Sequence, residues 1–94
     1  MTNLTSAIAA AQAARAHFVR VATRACPDLA GLHPATRNGH LGHLLCFRSA
    51  EHAARRIGGS VAQQRAVRLA HRRYWRACAA ERAAFDASVS AAQA

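Results

Sequence analysis

Lysine is absent from this chain: all thirteen of its basic residues are arginine, and only Asp28, Glu51, Glu81 and Asp86 oppose them. Four carboxylates scattered along 94 residues offer no obvious acid and base pair. Neither a glycine-rich phosphate loop before a helix nor a nucleophile motif is present, so a non-enzymatic protein is expected. Cysteine is as sparse. Cys26, Cys46 and Cys78 are odd in number, widely spaced and without a C-x-x-C pair. That pattern implies no disulfide framework and no ribbon-type zinc site, and it fits reduced thiols in the cytoplasm. No stretch approaches the 18 or so continuous apolar residues of a membrane span, and no charged segment followed by an apolar run marks a leader. Aromatic residues make up 5% of the chain, and alanine supplies much of the apolar content while adding little volume. The length suits one domain, 1–94, with a modest core, so self-association into a homo-oligomer is a reasonable way to add burial.

What the chain has is positive charge. The formal net charge is +9 and the isoelectric point near 11.7. Codon bias in a GC-rich genome would explain arginine in place of lysine but not the excess over acids. Guanidinium forks pair bidentately with phosphate or carboxylate, which points to a polyanion or an acidic protein surface as partner.

Hydrophobic periodicity predicts an all-α fold of three helices, packed as a bundle or as a hairpin plus a long third helix. The first spans about 4–25, begins near Asn3 or Thr5 and is ended by Pro27. Arg15 interrupts its apolar stripe and is expected to snorkel past the core edge. Pro27, Gly31, Pro34 and Asn38-Gly39 predict an irregular connection over 28–39, with at most a single turn after Pro34. The second helix is expected over about 40–57, with His43, Cys46, Phe47, Ala50, Ala54 and Ile57 on one packing face. Gly58 and Gly59 stop it. Ser60 and Gln63 form an S-x-x-Q capping box that starts a third helix, 61–88, whose far end is expected to overhang the others or pack on a second copy.

On that third helix Arg65, Arg68, Arg72 and Arg76 recur at spacings of three, four and four, which places them within roughly 80° of one another. Val67, Tyr74, Cys78 and Phe85 fall on nearly the opposite side and are expected to pack. The ridge runs about 16 Å, enough to meet several phosphates. Arg55 and Arg56 just before the turn would enlarge it, Arg73 sits on one flank, and Trp75 on the other could stack on a base or cover the core edge. Glu51 is spaced to pair with Arg55, and Arg82 with Asp86.

The run from Glu51 to Arg65 resembles the turn of helix-turn-helix regulators, including the promoter-reading region of sigma factors, with Ala54, Ile57, Gly58 and Ser60 at the small, apolar, glycine and cap positions. The resemblance covers about a sixth of the chain. Gln64 and Gly59 depart from it where apolar residues are usual, and the following helix is longer than a recognition helix. It implies Gln63, Gln64 and Arg65 facing bases, with Arg68 and Arg72 nearer the backbone.

His33, His40, His43 and Cys46 lie within fourteen residues and carry nitrogen and sulfur at spacings that could supply part of a zinc site. No second ligand set accompanies them, and His43 and Cys46 also fit the packing face, so no metal and no cofactor are expected.

The sequence therefore predicts a protein that binds DNA or RNA with low sequence specificity, through Arg55, Arg56, Arg65, Arg68, Arg72, Arg73, Trp75 and Arg76. The rival expectation is a helical module docking on an acidic protein surface, as a subunit or as a phage- or mobile-element-type inhibitor of a nucleic-acid-processing complex. Membrane-surface binding is disfavoured because Tyr74, His71 and Cys78 sit on the apolar face of the third helix.

Overall fold

Each α-helix in this chain starts on a side chain that accepts from an otherwise orphaned backbone N–H, and the computed structural model, which describes residues 3–93, makes these caps explicit. Asn3 Oδ1 accepts from Ser6 N at 2.8 Å and opens α1, Leu4–Ala25. Pro27 ends it and begins a 3₁₀ turn, Pro27–Gly31. His33 then caps α2, Pro34–Phe47, through Nδ1 accepting from Ala35 N at 3.1 Å, with Pro34 in the first helical turn, where its missing N–H costs nothing. Ser49 Oγ accepts from His52 N at 3.1 Å and opens α3, Ala50–Ile57. Gly58 and Gly59 both take positive φ, at 79° and 89°. In the capping box that follows, Gln63 N donates to Ser60 Oγ at 3.1 Å and Ser60 N donates to Gln63 Oε1 at 2.8 Å. From there α4 runs uninterrupted over Val61–Gln93.

The all-α class holds, but the helices are divided differently from the sequence expectation. The region read as irregular, 28–39, is ordered into the 3₁₀ turn and the first turns of α2. The single helix expected over 40–57 is two, because Arg48 is extended (φ −126°, ψ 158°) and Ser49 caps a new helix instead of continuing the old one. The last helix continues to Gln93 rather than stopping near 88.

The break at Arg48-Ser49 resets the helical phase, and with it the buried face. Leu41 and Leu45 of α2 point into the core with Leu44 and Cys46 at its edge, while Phe47, expected to pack, is 76% exposed. Ala54 and Ile57 are buried as expected, joined by Ala53. Around them Phe18, Ala22 and Ala25 from α1 and Val67 and Ala70 from α4 complete one cluster. Phe18, Leu41, Leu45 and Val67 are its largest fully buried side chains.

The most extensive helix contact is between α1 and α4. They run antiparallel, since Gln63 Nε2 near the start of α4 donates to the carbonyl of Arg24 near the end of α1 at 3.3 Å. Ala7, Ala11 and Ala14 continue the buried side of α1 beyond the cluster, where small side chains let two helices lie close. Arg15 escapes this interface by crossing to α2. Its guanidinium lies over Gly42, where an added Cβ would come within 2.9 Å of it. At 1.5 Å per residue α1 covers only about 33 Å of a fourth helix about 50 Å long. The molecule is accordingly elongated, 51 × 26 × 19 Å, and Phe85, expected to pack, is 51% exposed on the uncovered end. No helix among the described residues is long and apolar enough to cross a membrane.

Candidate arginine interface

The carbonyls in the last turn of α2 have no partners within their own helix, and α4 supplies two. The His71 Nε2 lies 3.1 Å from the carbonyl of Leu44, and the Trp75 indole N–H donates to that of Leu45 at 2.8 Å. A carbonyl can only accept, so Nε2 of His71 carries a proton. His71 is 4% exposed, meets Phe18 edge-on at 6.0 Å between ring centroids and lies nearly parallel to the Trp75 ring at 6.4 Å. These two side chains, one turn apart, fix the rotation of α4 about its axis and so decide which residues look outward. Neither hydrogen bond follows from periodicity. The signal was a polar ring at a core position of an apolar stripe, together with a helix end that lacked a glycine cap.

With that rotation set, Arg65, Arg72 and Arg76 project into solvent with no acidic partner among the described residues. Arg68 differs. Its Nε lies 3.5 Å from Glu51 Oε1 across the α3–α4 contact, and its side chain is 25% exposed. Glu51 was expected to serve Arg55 on its own helix, but the packing of α3 against α4 offers it Arg68 instead. The expected Arg82–Asp86 pair is present at 3.4 Å, farther along α4 and fully on the surface.

The remaining candidates spread around the molecule instead of extending the ridge in one line. Arg55 stays exposed at the end of α3. Arg56 lines a different feature, a half-open cleft of about 520 Å³ between the 3₁₀ turn, α2 and α3, where Arg48, His40, His43 and His52 surround an apolar floor that includes Leu29 and Leu44. Arg73 lies toward α1. Burial first, and then the positive charges of Arg73, Arg20 and Arg24, pull the His17 imidazole below its ordinary value of 6.5. Trp75 remains on the ridge flank, 48% exposed, with its N–H already engaged.

The side chains that the helix-turn-helix resemblance would put against bases are used inside the protein. Gln63 closes the capping box and reaches Arg24, and Gln64 Nε2 donates to the carbonyl of Gly59 at 3.1 Å. Both amides secure the turn into α4, and both residues are half-buried. The histidine and cysteine set is also dispersed: His33 caps α2, His43 lies against Phe47 at 5.6 Å, and the Cys46 thiol is 4.0 Å from the Tyr74 hydroxyl. Among the described residues no three His, Cys, Asp or Glu side chains converge as a metal-holding group. Cys26, Cys46 and Cys78 are free thiols, each half-buried. The Tyr74 phenol is pushed up to about 12, chiefly by a hydrogen bond with the Cys78 thiol and then by burial and the neighbouring Cys46.

In chemical terms the outward side of α4 is a set of rigidly spaced guanidinium groups suited to phosphate or carboxylate oxygens. Compared with models of protein families, with curated proteins and with solved structures, the chain has no significant match.

Proposed function

We propose that this protein binds nucleic acid without enzymatic activity, holding phosphates on the outward side of α4 through Arg65, Arg72 and Arg76. Arg55 adds to the field and Arg68 is a partly committed fourth contact. The observation that carries this reading is the trio of exposed guanidinium groups, unopposed by acid and held on a helix that His71, Trp75 and the Ser60 capping box lock in place. Contacts to phosphate position a backbone without reading bases, so sequence preference is weak. Arg56 and Arg73 contribute long-range attraction from other faces rather than direct contacts to the same strand.

Binding of labelled DNA and RNA across a salt series tests the reading. Three neutralised phosphates on a duplex give a log–log slope of about −3. Replacing Arg72 and Arg76 by glutamate is expected to weaken binding by at least about tenfold at low salt, while such exposed changes leave stability within about 1 kcal/mol. Absence of binding to any nucleic acid at low salt, with capture of one stoichiometric acidic protein that the same double substitution abolishes, would establish the acidic-surface partner in its place.

A further inference from the structure

Gly42 sits in the interior of α2, where glycine weakens a helix relative to alanine, and a guanidinium from another helix accounts for it. A terminal nitrogen of Arg15, carried on α1, would lie 2.9 Å from a Cβ placed at Gly42. Gly39, about one turn earlier in the same helix, has nothing within 4 Å of such a Cβ. One helical glycine thus makes room for a cation and the other does not. The room lies in a groove of about 520 Å³ between α1 and α2, floored by Phe18, Leu41 and Leu45. Arg15, Arg20 and Arg37 border it, and no acidic residue does. Arg37 Nε donates to Asn38 Oδ1 at 3.4 Å, which leaves its two terminal nitrogens uncommitted among the described residues. The ion pairs among those residues engage Arg68 and Arg82, so all three guanidinium groups of the groove lack a carboxylate there.

Three guanidinium groups around an apolar floor match a molecule that carries an anionic head on an apolar body. The volume falls within the range of small-molecule sites, about 300–1,000 Å³. We infer that the α1–α2 groove binds an amphipathic organic anion of the size of a medium-chain fatty acid. Its carboxylate or phosphate head pairs with Arg15, Arg20 and Arg37, and its hydrocarbon lies over Phe18, Leu41 and Leu45. A bare phosphate would leave the floor wet, and a neutral hydrocarbon would leave the cations without a partner. None of Arg65, Arg72 and Arg76 lines this groove, so the inference stands apart from the reading of α4. Gly42 is the position that admits the Arg15 head to the site.

Calorimetric titration of the full chain with decanoate and with decyl phosphate tests this, and the tighter of the two identifies the head group. Decanol supplies the body without the charge, and inorganic phosphate a head without the body. Each is expected to bind at least about tenfold more weakly than the better anion. Binding to the folded state raises the melting temperature, whereas a detergent-like action lowers it and overturns the inference. Gly42→Ala and Gly39→Ala both replace a helical glycine, and both are expected to raise the melting temperature of the free protein by about 2–8 °C. Gly39→Ala should keep the parent affinity. Gly42→Ala turns the Arg15 head out of the groove and is expected to weaken the anion at least about fivefold, as is Arg15→Ala. Unchanged anion affinity in Gly42→Ala and Arg15→Ala makes Arg15 a packing group and overturns the inference. So does displacement of the bound anion by an oligothymidylate in the Arg72→Glu, Arg76→Glu protein, which assigns the groove to nucleic acid. Failure of both anions to bind overturns it as well and leaves the reading of α4 untouched.

Discussion

From Val61 to Cys78, α4 has α1 on one side and α2 and α3 on the other, with Val67, Ala70 and His71 buried; beyond Ala84 every described residue is exposed. One continuous helix is thus held in two ways. Its first half is fixed by tertiary contacts, two side-chain bonds to α2 and the capping box, and it carries the arginines of the proposed interface. Its second half depends on alanine propensity and local pairs such as Arg82–Asp86. A long helix in a small domain need not be uniformly stabilised, and here the proposed contact residues lie where rotation about the helix axis is fixed.

The largest test of this difference compares two phenylalanines. Phe18 is fully buried at the hub where α1, α2 and α4 meet, and Phe18→Ala is expected to cost about 3–5 kcal/mol. In a domain of this size that lowers the melting temperature by more than about 12 °C or leaves the chain unfolded. Phe85→Ala, on the uncovered half of α4, is expected to change stability by no more than about 0.5 kcal/mol. Urea melts of both variants at several protein concentrations decide the matter. A comparable loss in Phe85→Ala, growing with concentration, would mean that the distal half packs on a second copy and that the contrast disappears in the assembly.

Much of the fold was legible because its local signals agreed. Asn3, Pro27, the Gly58-Gly59 pair and the Ser60-Gln63 box marked boundaries that the structure keeps, each through a side chain or φ angle acting on its own segment. Two local signals were outweighed by assumptions of continuity. Ser49 could act as an N-cap as well as sit inside a helix, and Pro34 could start a helix as well as interrupt one, so the sequence alone did not decide the extent of α2. Phe47 was misplaced as a direct result, because its face depended on the phase carried across residue 48. In the candidate site, the outward direction of Arg65, Arg72 and Arg76 followed from helical spacing. The Arg68–Glu51 pair, the separation of Arg56 and Arg73 from the ridge, and the anchoring of Trp75 on Leu45 all depend on how separate helices meet, which no single-segment pattern contains.

A smaller effect sharpens the boundary between the two halves of α4. Tyr74 packs against the hub with the Cys78 thiol beside its hydroxyl, and the phenol is pushed up to about 12 from an ordinary value near 10. With its pKa raised in the folded state, Tyr74 keeps its proton there while the unfolded chain loses it. Its contribution to stability is therefore whole below about pH 10 and is lost as pH rises toward 12. As the chain has one tyrosine, its phenolate absorbance follows the group directly. Stability is expected to decline over this window in the parent protein and to decline less in Tyr74→Phe. Parallel declines would place Tyr74 outside the packed half.

The smallest expected effect divides the packed half itself, between Arg68, which holds a carboxylate, and Arg72 one turn on, which does not. Glu51→Gln removes the negative charge and leaves the shape nearly unchanged. A partly exposed pair at 3.5 Å contributes only about 0–1 kcal/mol, and Glu51 also sits in the first turn of α3, where a negative charge favours the helix by a similar amount. Stability should therefore fall by about 2 kcal/mol at most. Nucleic-acid affinity at low salt should rise, because the substitution raises the net charge and releases a fourth guanidinium beside the other three. On a duplex the salt slope should steepen by about 0.9, the contribution of one more neutralised phosphate. Arg68→Ala removes the same ion pair without freeing a cation and should steepen nothing. If the two variants instead share the parent's slope, Arg68 serves the α3–α4 contact alone, and the interface consists of Arg65, Arg72 and Arg76, the arginines that no neighbouring helix engages.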